Sequence, residues 1–434
     1  MRDVSLWGSL LGVEKTVIER IEYDEDADLI VVHVRPTSRQ RSRCGACGRR
    51  CPGYDLGAGR RTWRALDLGT VRAVLEAHAP RVMCREHGVV VAAVPWARHD
   101  AGHTYAFDET VAWLATQSSK STVTVLMRIA WRTVGSIITR VWVDVDVDAQ
   151  HDRLAGLRRI GIDEISYKRG FKFLMVVVDH DTRRLVWAAP GRTSATVREF
   201  FDLLGEERCA QITHVSADGA DFIDTIVAQT CPNAVRVADP FHVVKWATEA
   251  LDEVRRGAWN DARALARKEP QRGRGRPRTD ALPRPGSERA KALKGARYAL
   301  WKNPENLTDN QQIKLAWIAA TDPRLYRAYL LKEGLRVIFA MPHQDAVRAL
   351  DRWISWARRC RIPSFVKLQK SIVRHRGRIL AAIEHGLSNG LIESTNTKIR
   401  LITRMAFGFK SPQALIALAL LSLGGHRPTL PGRE

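Results

Sequence analysis

Three carboxylates stand where a folded α/β chain could gather them. Asp163 lies inside the apolar run Arg158 to Ile165 (RRIGIDEI), Asp218 follows the apolar segment Ile212 to Ala217, and Glu393 comes just after Ser388-Asn389-Gly390-Leu391-Ile392. Converging carboxylates suit hard divalent cations, Mg²⁺ or Mn²⁺. Two such ions in one site polarise a phosphodiester, lower the pKa of an attacking water or hydroxyl, and stabilise the leaving oxygen. A plainer reading stays open for Asp218, because an Asp before a Gly is commonly a turn or cap residue. Asp163 resists it, since a charge inside an apolar strand costs several kcal/mol unless it is paired or bound to metal. Glu164 falls on the opposite face of the same strand, and Asp179 and Asp181 are most simply turn residues.

A softer set of ligands precedes them. Cys44-Gly-Ala-Cys47 and Cys84-Arg-Glu-His87 are two short pairs, each able to aim two ligands at one ion. Together they would complete a tetrahedral Zn²⁺ shell of three thiolates and one imidazole. Cys51 is a second-choice ligand beside Pro52, and a lone C-x-x-C can be accidental or redox-active. Cys209, Cys231 and Cys360 are isolated and read as core thiols.

The elements that must position these residues follow from periodicity. Residues 1–95 read as short strands and turns, for example Asp28 to Val34 and Val71 to Leu75. From Phe107 to about Val143 the spacing is helical, and Ile129 to Ile138, with Gly135 at its centre, has the pattern of a helix-turn-helix. An ordinary helical hairpin would look the same, and the expected DNA-reading helix starts near Val134. An acidic spacer, Asp144 to Asp148, follows.

Residues 158–250 predict strands at Arg158 to Ile165, Phe171 to Val178 and Arg184 to Ala189, with a hairpin turn at Asp179 to Thr182. A helix from Ser194 to Leu204, a strand from Ile212 to Ala217, a helix from Asp221 to Gln229, a strand from Ala234 to Ala238 and a long helix from about His242 come next. Three strands, helix, strand, helix, strand, helix is the order of a ribonuclease-H-like α/β domain with a mixed sheet. Its first and fourth strands are neighbours, which would bring Asp163 and Asp218 together. Between about 250 and 375 the strand signals vanish, predicting an all-α insertion broken by Glu269 to Arg278; helical spacing resumes at Gly390 and runs to about Gly424.

The expected division is a zinc-binding β module at 1–95, a helix-turn-helix region at 96–150, and a catalytic domain in two parts, 151–250 and 376–425. The α-helical insertion 251–375, with a basic linker at 270–280, separates those parts, and a tail occupies 426–434.

Lys and Arg number 69 against 47 Asp and Glu, a net charge of +22. That excess points to a polyanion, with nucleic acid the first suspect, although the predominance of Arg over Lys would also follow from G/C-rich codons. At 45% hydrophobic and 27% charged, the composition excludes a largely disordered or fibrous chain. The N-terminus shows no signal peptide, and the longest apolar run, Ala414 to Leu423, falls well short of a membrane span. The expectation is a cytoplasmic, nucleoid-associated protein with no membrane partner.

In order along nearly the whole chain, several segments resemble the ISL-three family of bacterial insertion-sequence transposases. They are Gly161-Ile162-Asp163-Glu164, the strand ending at Asp218, Pro232 to Lys245, Leu300 to Thr308, Leu325 to Tyr329, and Ser388 to Glu393 with Asn396, Lys398 and Ile399. The resemblance implies a DNA transposase with an Asp-Asp-Glu site at Asp163, Asp218 and Glu393 holding two Mg²⁺ or Mn²⁺ ions, and one structural Zn²⁺ in an N-terminal finger. Such an enzyme hydrolyses phosphodiesters at the element's ends and drives the freed 3′-OH into target DNA. The pair Asp239-x-x-His242 resembles a signature of the related Mutator-like group, where the His lies near or supports the active site; a helix-start His satisfied by Asp239 is the other reading. The family commonly has Gly after the Glu, where this chain has Ser394.

Its DNA partners would be the terminal inverted repeats and a target duplex. The expected contacts are Arg43, Arg49 and Arg50 beside the zinc pair, the AT-hook-like Arg272, Arg274, Arg276 and Arg278, and Lys398, Arg400 and Arg404 beyond Glu393. A short basic run such as Arg272 to Arg278 is more often simply a solvated linker. Pairing two ends implies at least a homodimer on DNA. A transposase-derived DNA-binding regulator and a ribonuclease-H-like nuclease acting elsewhere are the competing classes; the intact carboxylate trio speaks against the first, and the zinc and helix-turn-helix elements against the second.

Overall fold

A computed structural model describes residues 3–147, 152–217, 221–269 and 284–433. Two units account for it, one formed by 1–155, 184–186 and 397–434, the other by 156–183 and 187–396.

The first unit begins with a helix that strand periodicity does not announce, α1 (Asp3–Leu11). Strands β1 (Thr16–Asp24), β2 (Leu29–Pro36), β3 (Gly53–Asp55), β4 (Arg60–Arg64), β5 (Arg72–His78), β6 (Arg81–Cys84) and β7 (Gly88–Val91) follow. They form a four-stranded sheet, β1-β2-β5-β4, and a three-stranded sheet, β3-β6-β7. Strand β5 shows why: Ala73, Leu75 and Ala77 alternate inward with period two and join Val32, Val34, Trp63 and Trp96 in one core. The β6–β7 hairpin presents Cys84 at its turn, paired in register with Gly88.

Next come α2 (Tyr105–Gln117), α3 (Lys120–Met127) and α4 (Trp131–Val147). Thr104 and Ser119 cap α2 and α3 through their hydroxyls. Gly135 is not the turn. The chain reverses at Arg128, whose φ of 52° is left-handed, and α4 begins at Trp131, three residues before the start expected from the sequence. Gly135 lies buried inside α4, where a Cβ would sit 3.4 Å from the Lys120 Nζ and 3.6 Å from the Ala414 Cβ. It therefore serves close packing. The acidic stretch Asp144 to Val147 is the end of α4 rather than a spacer, with Asp144 paired to Arg98 and Asp146 to Arg153.

Buried Asp108 on α2 accepts from Nε and one terminal nitrogen of the Arg140 guanidinium on α4, each at 2.8 Å. Breaking so buried a pair from one side typically costs about 3–5 kcal/mol. The late helix α17 (Pro412–Leu423) packs against α2 and α4.

In the second unit, β8 (Arg159–Lys168), β9 (Lys172–Asp179), β10 (Arg184–Pro190), β11 (His214–Ala217) and β12 (Val235–Val237) form one sheet in the order β10-β9-β8-β11-β12. Strand β8 pairs antiparallel with β9 and parallel with β11, and β11 pairs parallel with β12. Helices α5 (Ser194–Leu204), α6 (Glu206–Cys209) and α7 (Asp221–Thr230) fill the connections. Asp179 accepts from the Asp181 and Thr182 amides, so it closes the β9–β10 turn as expected.

From Pro240 to His385 every described element is helical. These are α8 (Pro240–Lys268), α9 (Pro285–Lys294), α10 (Arg297–Trp301), a 3-10 turn at Pro304–Asn306, α11 (Asp309–Thr321), α12 (Pro323–Ile338), α13 (His343–Arg359), α14 (Pro363–Arg374) and α15 (Arg376–His385). Leu251, Leu293, Ile318, Leu335, Leu350, Phe365 and Ile372 share their core. Helix α16 (Gly390–Met405) follows. Cys209, Cys231 and Cys360 are buried thiols, as their isolation suggested.

Candidate functional site

Asp163 sits in β8 just beyond Ile160, Gly161 and Ile162, which are buried, and is itself half-buried. The parallel pairing of β11 on β8 sets Ala217 against Ile162, so the residue before Asp218 faces the residue before Asp163. Asp218 lies outside the described residues.

Helix α16 reaches this strand through Asn396. The amide of Asn396, 3% exposed, donates from Nδ2 to Oδ2 of Asp163 at 2.7 Å. The other oxygen of Asp163 accepts the Glu164 amide at 2.8 Å. Asn396 is three residues after Glu393, so the two lie on neighbouring positions of one helix face. Among the described residues, buried Asn396 Oδ1 has no hydrogen-bond partner, and neither has Oδ1 of Asn389.

Asp239 organises the other side. It caps α8 by accepting the His242 amide at 3.2 Å, and the same oxygen accepts the His242 ring Nδ1 at 2.8 Å. Its second oxygen accepts the Asn389 amide at 3.0 Å. One buried carboxylate thus starts α8, fixes a histidine and fastens the chain that leads into α16. Burial by itself raises the Asp239 pKa; the bonds from His242 and from the Asn389 amide outweigh it and hold the carboxyl below its ordinary value. With Nδ1 turned to Asp239, the neutral ring carries its lone pair on Nε2. Asp239, His242 and exposed Glu393 bring potential ligand atoms within 4.8 Å of one another. Asp224 of α7, between Arg236 of β12 and Arg378 of α15, secures the same end of the sheet.

His242 is thus hydrogen-bonded to Asp239 and stands beside Glu393. The parts that sequence reasoning left without a role are Asn389 and Asn396. The legible signal was an Asn three residues from the Glu on a single helix.

The four zinc-type ligands also converge. Cys44 Sγ is 3.9 Å from His87 Nδ1, Cys47 Sγ is 3.8 Å from Cys84 Sγ, and Cys84 Sγ is 3.6 Å from His87 Nδ1. A tetrahedral zinc with bonds of about 2.3 Å to sulfur and 2.0–2.1 Å to nitrogen separates its donors by roughly 3.5–3.8 Å. Soft thiolates at that spacing fit the ion. The hydrogen bond from His87, with help from the Glu86 and His87 amides, lowers the Cys84 thiol to a pKa of about 6, towards the thiolate that a metal needs. Cys51 stays outside the cluster, its Sγ donating to the Arg49 carbonyl.

Not every expected DNA contact is free. The Arg43 guanidinium donates to the Gly48 carbonyl at 3.0 Å and so braces the Cys44 turn, and Arg49 pairs with Glu86 at 3.0 Å. Arg50 is exposed. Lys398, Arg400 and Arg404 are exposed on α16, but at 3.6 residues per turn only Arg400 and Arg404 fall on the face of Glu393, with Lys398 opposite. Arg272, Arg274, Arg276 and Arg278 lie outside the described residues.

An α/β domain with a strand-borne Asp and a helix-borne Glu, preceded by a helix-turn-helix and a thiolate finger, has the parts of an Asp-Asp-Glu transposase. Family comparison agrees: residues 160–419 match a transposase family, 92–142 the helix-turn-helix domain of transposase family ISL3, and 40–87 the zinc-finger of transposase IS204/IS1001/IS1096/IS1165. The chain is 66% identical over 439 residues to the transposase for insertion sequence element IS1557 of Mycobacterium tuberculosis, covering 100% of this chain and 98% of the relative. It is 25% identical over 417 residues to the transposase for insertion sequence element IS1001 of Bordetella parapertussis, covering 95% and 96%. The chain belongs to the ISL3 family of insertion-sequence transposases. Among the described residues no helix is long and apolar enough to cross a membrane.

Proposed function

We propose that this transposase binds the terminal inverted repeats of its element, hydrolyses a phosphodiester at each end and transfers the 3′-OH into target DNA, with Asp163, Asp218 and Glu393 as its catalytic carboxylates. The supporting observation is the Asn396 bridge, which ties the Glu393 helix to Asp163 across 233 positions of chain. A sheet of order β10-β9-β8-β11-β12, antiparallel then parallel, supports a ribonuclease-H-like catalytic domain interrupted by the helices between 251 and 375.

The oxygen-rich donor set suits Mg²⁺ or Mn²⁺, and two such ions would supply Lewis-acid activation of the nucleophile and stabilisation of the leaving oxygen. The chain's own task is placement. Asn396 and the Glu164 amide hold the Asp163 carboxylate in one rotamer, Asp239 fixes the His242 ring beside Glu393, and the Asp239–Asn389 bond sets where α16 begins. The zinc module of residues 1–95 and the helix-turn-helix of 96–150 carry end recognition, with Arg50, Arg400 and Arg404 as exposed phosphate contacts, and two copies pair the two ends. Asp163→Asn should abolish end cleavage in Mg²⁺ while end binding stays within twofold of wild type; cleavage at an undiminished rate would overturn the assignment.

A further inference from the structure

Charge in the helical segment is distributed unevenly. Residues 352–383 contain nine Lys or Arg and no Asp or Glu, where about three or four acids would be expected at the chain's average composition. Two of the nine are neutralised from outside, Arg376 by Asp351 and Arg378 by Asp224. The other seven, Arg352, Arg358, Arg359, Arg361, Lys367, Lys370 and Arg374, are exposed, and none has a carboxylate within ion-pair distance among the described residues.

Helix geometry sorts most of them onto two helix faces. On α14, Lys367, Lys370 and Arg374 recur at three and seven residues and form one stripe about 10 Å long. At its head Arg361, Pro363, Val366, Lys367 and Lys370 line a shallow cavity of about 450 Å³. On α13, Arg352 and Arg359 share a face with Trp356, which is 38% exposed. A cluster of like charges without internal partners opposes folding by self-repulsion and is relieved by a polyanion. One strand of duplex DNA presents a phosphate every 3.4 Å along its axis, so the α14 stripe matches about three of them.

We infer that the α13–α14 hairpin is a second DNA-binding surface, gripping the duplex backbone without reading sequence. This rests on the reading of the chain as a DNA transposase and adds a contact to it. Its distinguishing property is salt dependence, because every phosphate that the protein ceases to neutralise takes about 0.9 off the slope of log K against log salt.

The test is a full-length Lys367→Ala/Lys370→Ala/Arg374→Ala variant, titrated with a non-cognate duplex and with end DNA from 50 to 200 mM KCl. Ala keeps helix propensity high, and an unchanged melting temperature confirms the fold. The slope should become shallower by two to three on both duplexes, whereas the charge-matched control Lys291→Ala/Lys294→Ala/Lys302→Ala should shift it by less than one. An unchanged slope, an equal shift in the control, or an effect on self-association alone overturns the inference. If wild type itself failed to bind end DNA, the functional reading would be the one that had fallen.

Discussion

The finger ligands and the carboxylate cluster are built over very different lengths of chain. Cys44 with Cys47 and Cys84 with His87 are two self-contained turns, and Cys47 and Cys84 are only 37 positions apart. Each turn aims its own pair: the Cys44 amide donates to the Arg49 carbonyl and the Gly48 amide to the Cys44 carbonyl, both at 2.8 Å. The other cluster draws Asp239 and His242 from the start of α8 and Glu393 from a helix beyond the whole helical segment, and Asp163 of β8 is tied to that helix through Asn396. The first site makes its module; the second is made by its fold. Metal removal should therefore unfold the first, whereas losing one ligand of the second should leave the structure standing.

The largest effect expected from this contrast is at the finger. Structural zinc contributes on the order of 10 kcal/mol to such modules, so Cys84→Ser, or chelation, should release zinc, collapse protection of β6 and β7 in hydrogen exchange and abolish end binding. The sheet bearing Asp163 should keep its protection. If Cys84→Ser retained stoichiometric zinc and full end binding, the closed four-ligand site would be wrong.

Glu393 should behave in the opposite way. Glu393→Gln changes an exposed side chain at the start of α16, so melting temperature and end affinity should stay put while strand cleavage falls at least a thousandfold, about 4 kcal/mol of barrier. Loss of fold together with activity would erase the distinction between the clusters.

Asn396 sharpens it further, because it touches Asp163 rather than DNA. Positioning partners of metal ligands typically cost 10- to 100-fold when removed. Asn396→Ala should thus raise the Mn²⁺ concentration needed for half-maximal cleavage by at least tenfold. It should equally weaken the thermal stabilisation that Mn²⁺ confers on DNA-free protein. A purely structural Asn would lower the melting temperature and leave both metal titrations unmoved.

How legible each cluster was follows the same lines. Two C-x-x-C/H pairs name their candidate ligands because the geometry is local, whereas the neighbouring of β8 and β11 was expected from the element order of a ribonuclease-H-like domain and their register was not legible. The strands of residues 158–238 and the helical character after 240 were readable because apolar runs of strand length differ from helical spacing. Gly135 misled, since a glycine marks either a turn or a close approach, and only the packed positions of Lys120 and Ala414 decide between them. For Asn396 the place was legible, three residues after Glu393 on one helix, but not the partner, because nothing local tells an amide on α16 that it bonds a strand residue 233 positions earlier. Charge counting alone could not weigh the basic residues: Arg43 and Arg49 near the finger are tied up by a carbonyl and a carboxylate, while seven exposed Lys and Arg with no ion-pair partner among the described residues gather on and between α13 and α14.

The smallest expected effect is the sharpest check on the finger's ligand set. Cys51 is near enough to Cys84 for the two thiols to influence each other's ionisation, yet its Sγ is spent on the Arg49 carbonyl at 3.3 Å and it lies four residues beyond Cys47, outside the turn that aims Cys44 and Cys47. A fourth thiolate from Cys51 would have to displace the His87 imidazole, breaking the 3.6 Å approach of Nδ1 to Cys84 that already matches a tetrahedral edge. Cys51→Ser should therefore leave one zinc per chain and end affinity within twofold of wild type, whereas His87→Ala should lose the ion. The reverse pattern, zinc released by Cys51→Ser and retained by His87→Ala, would replace a Cys₃His site by a Cys₄ one without disturbing the contrast between a local and a fold-built cluster.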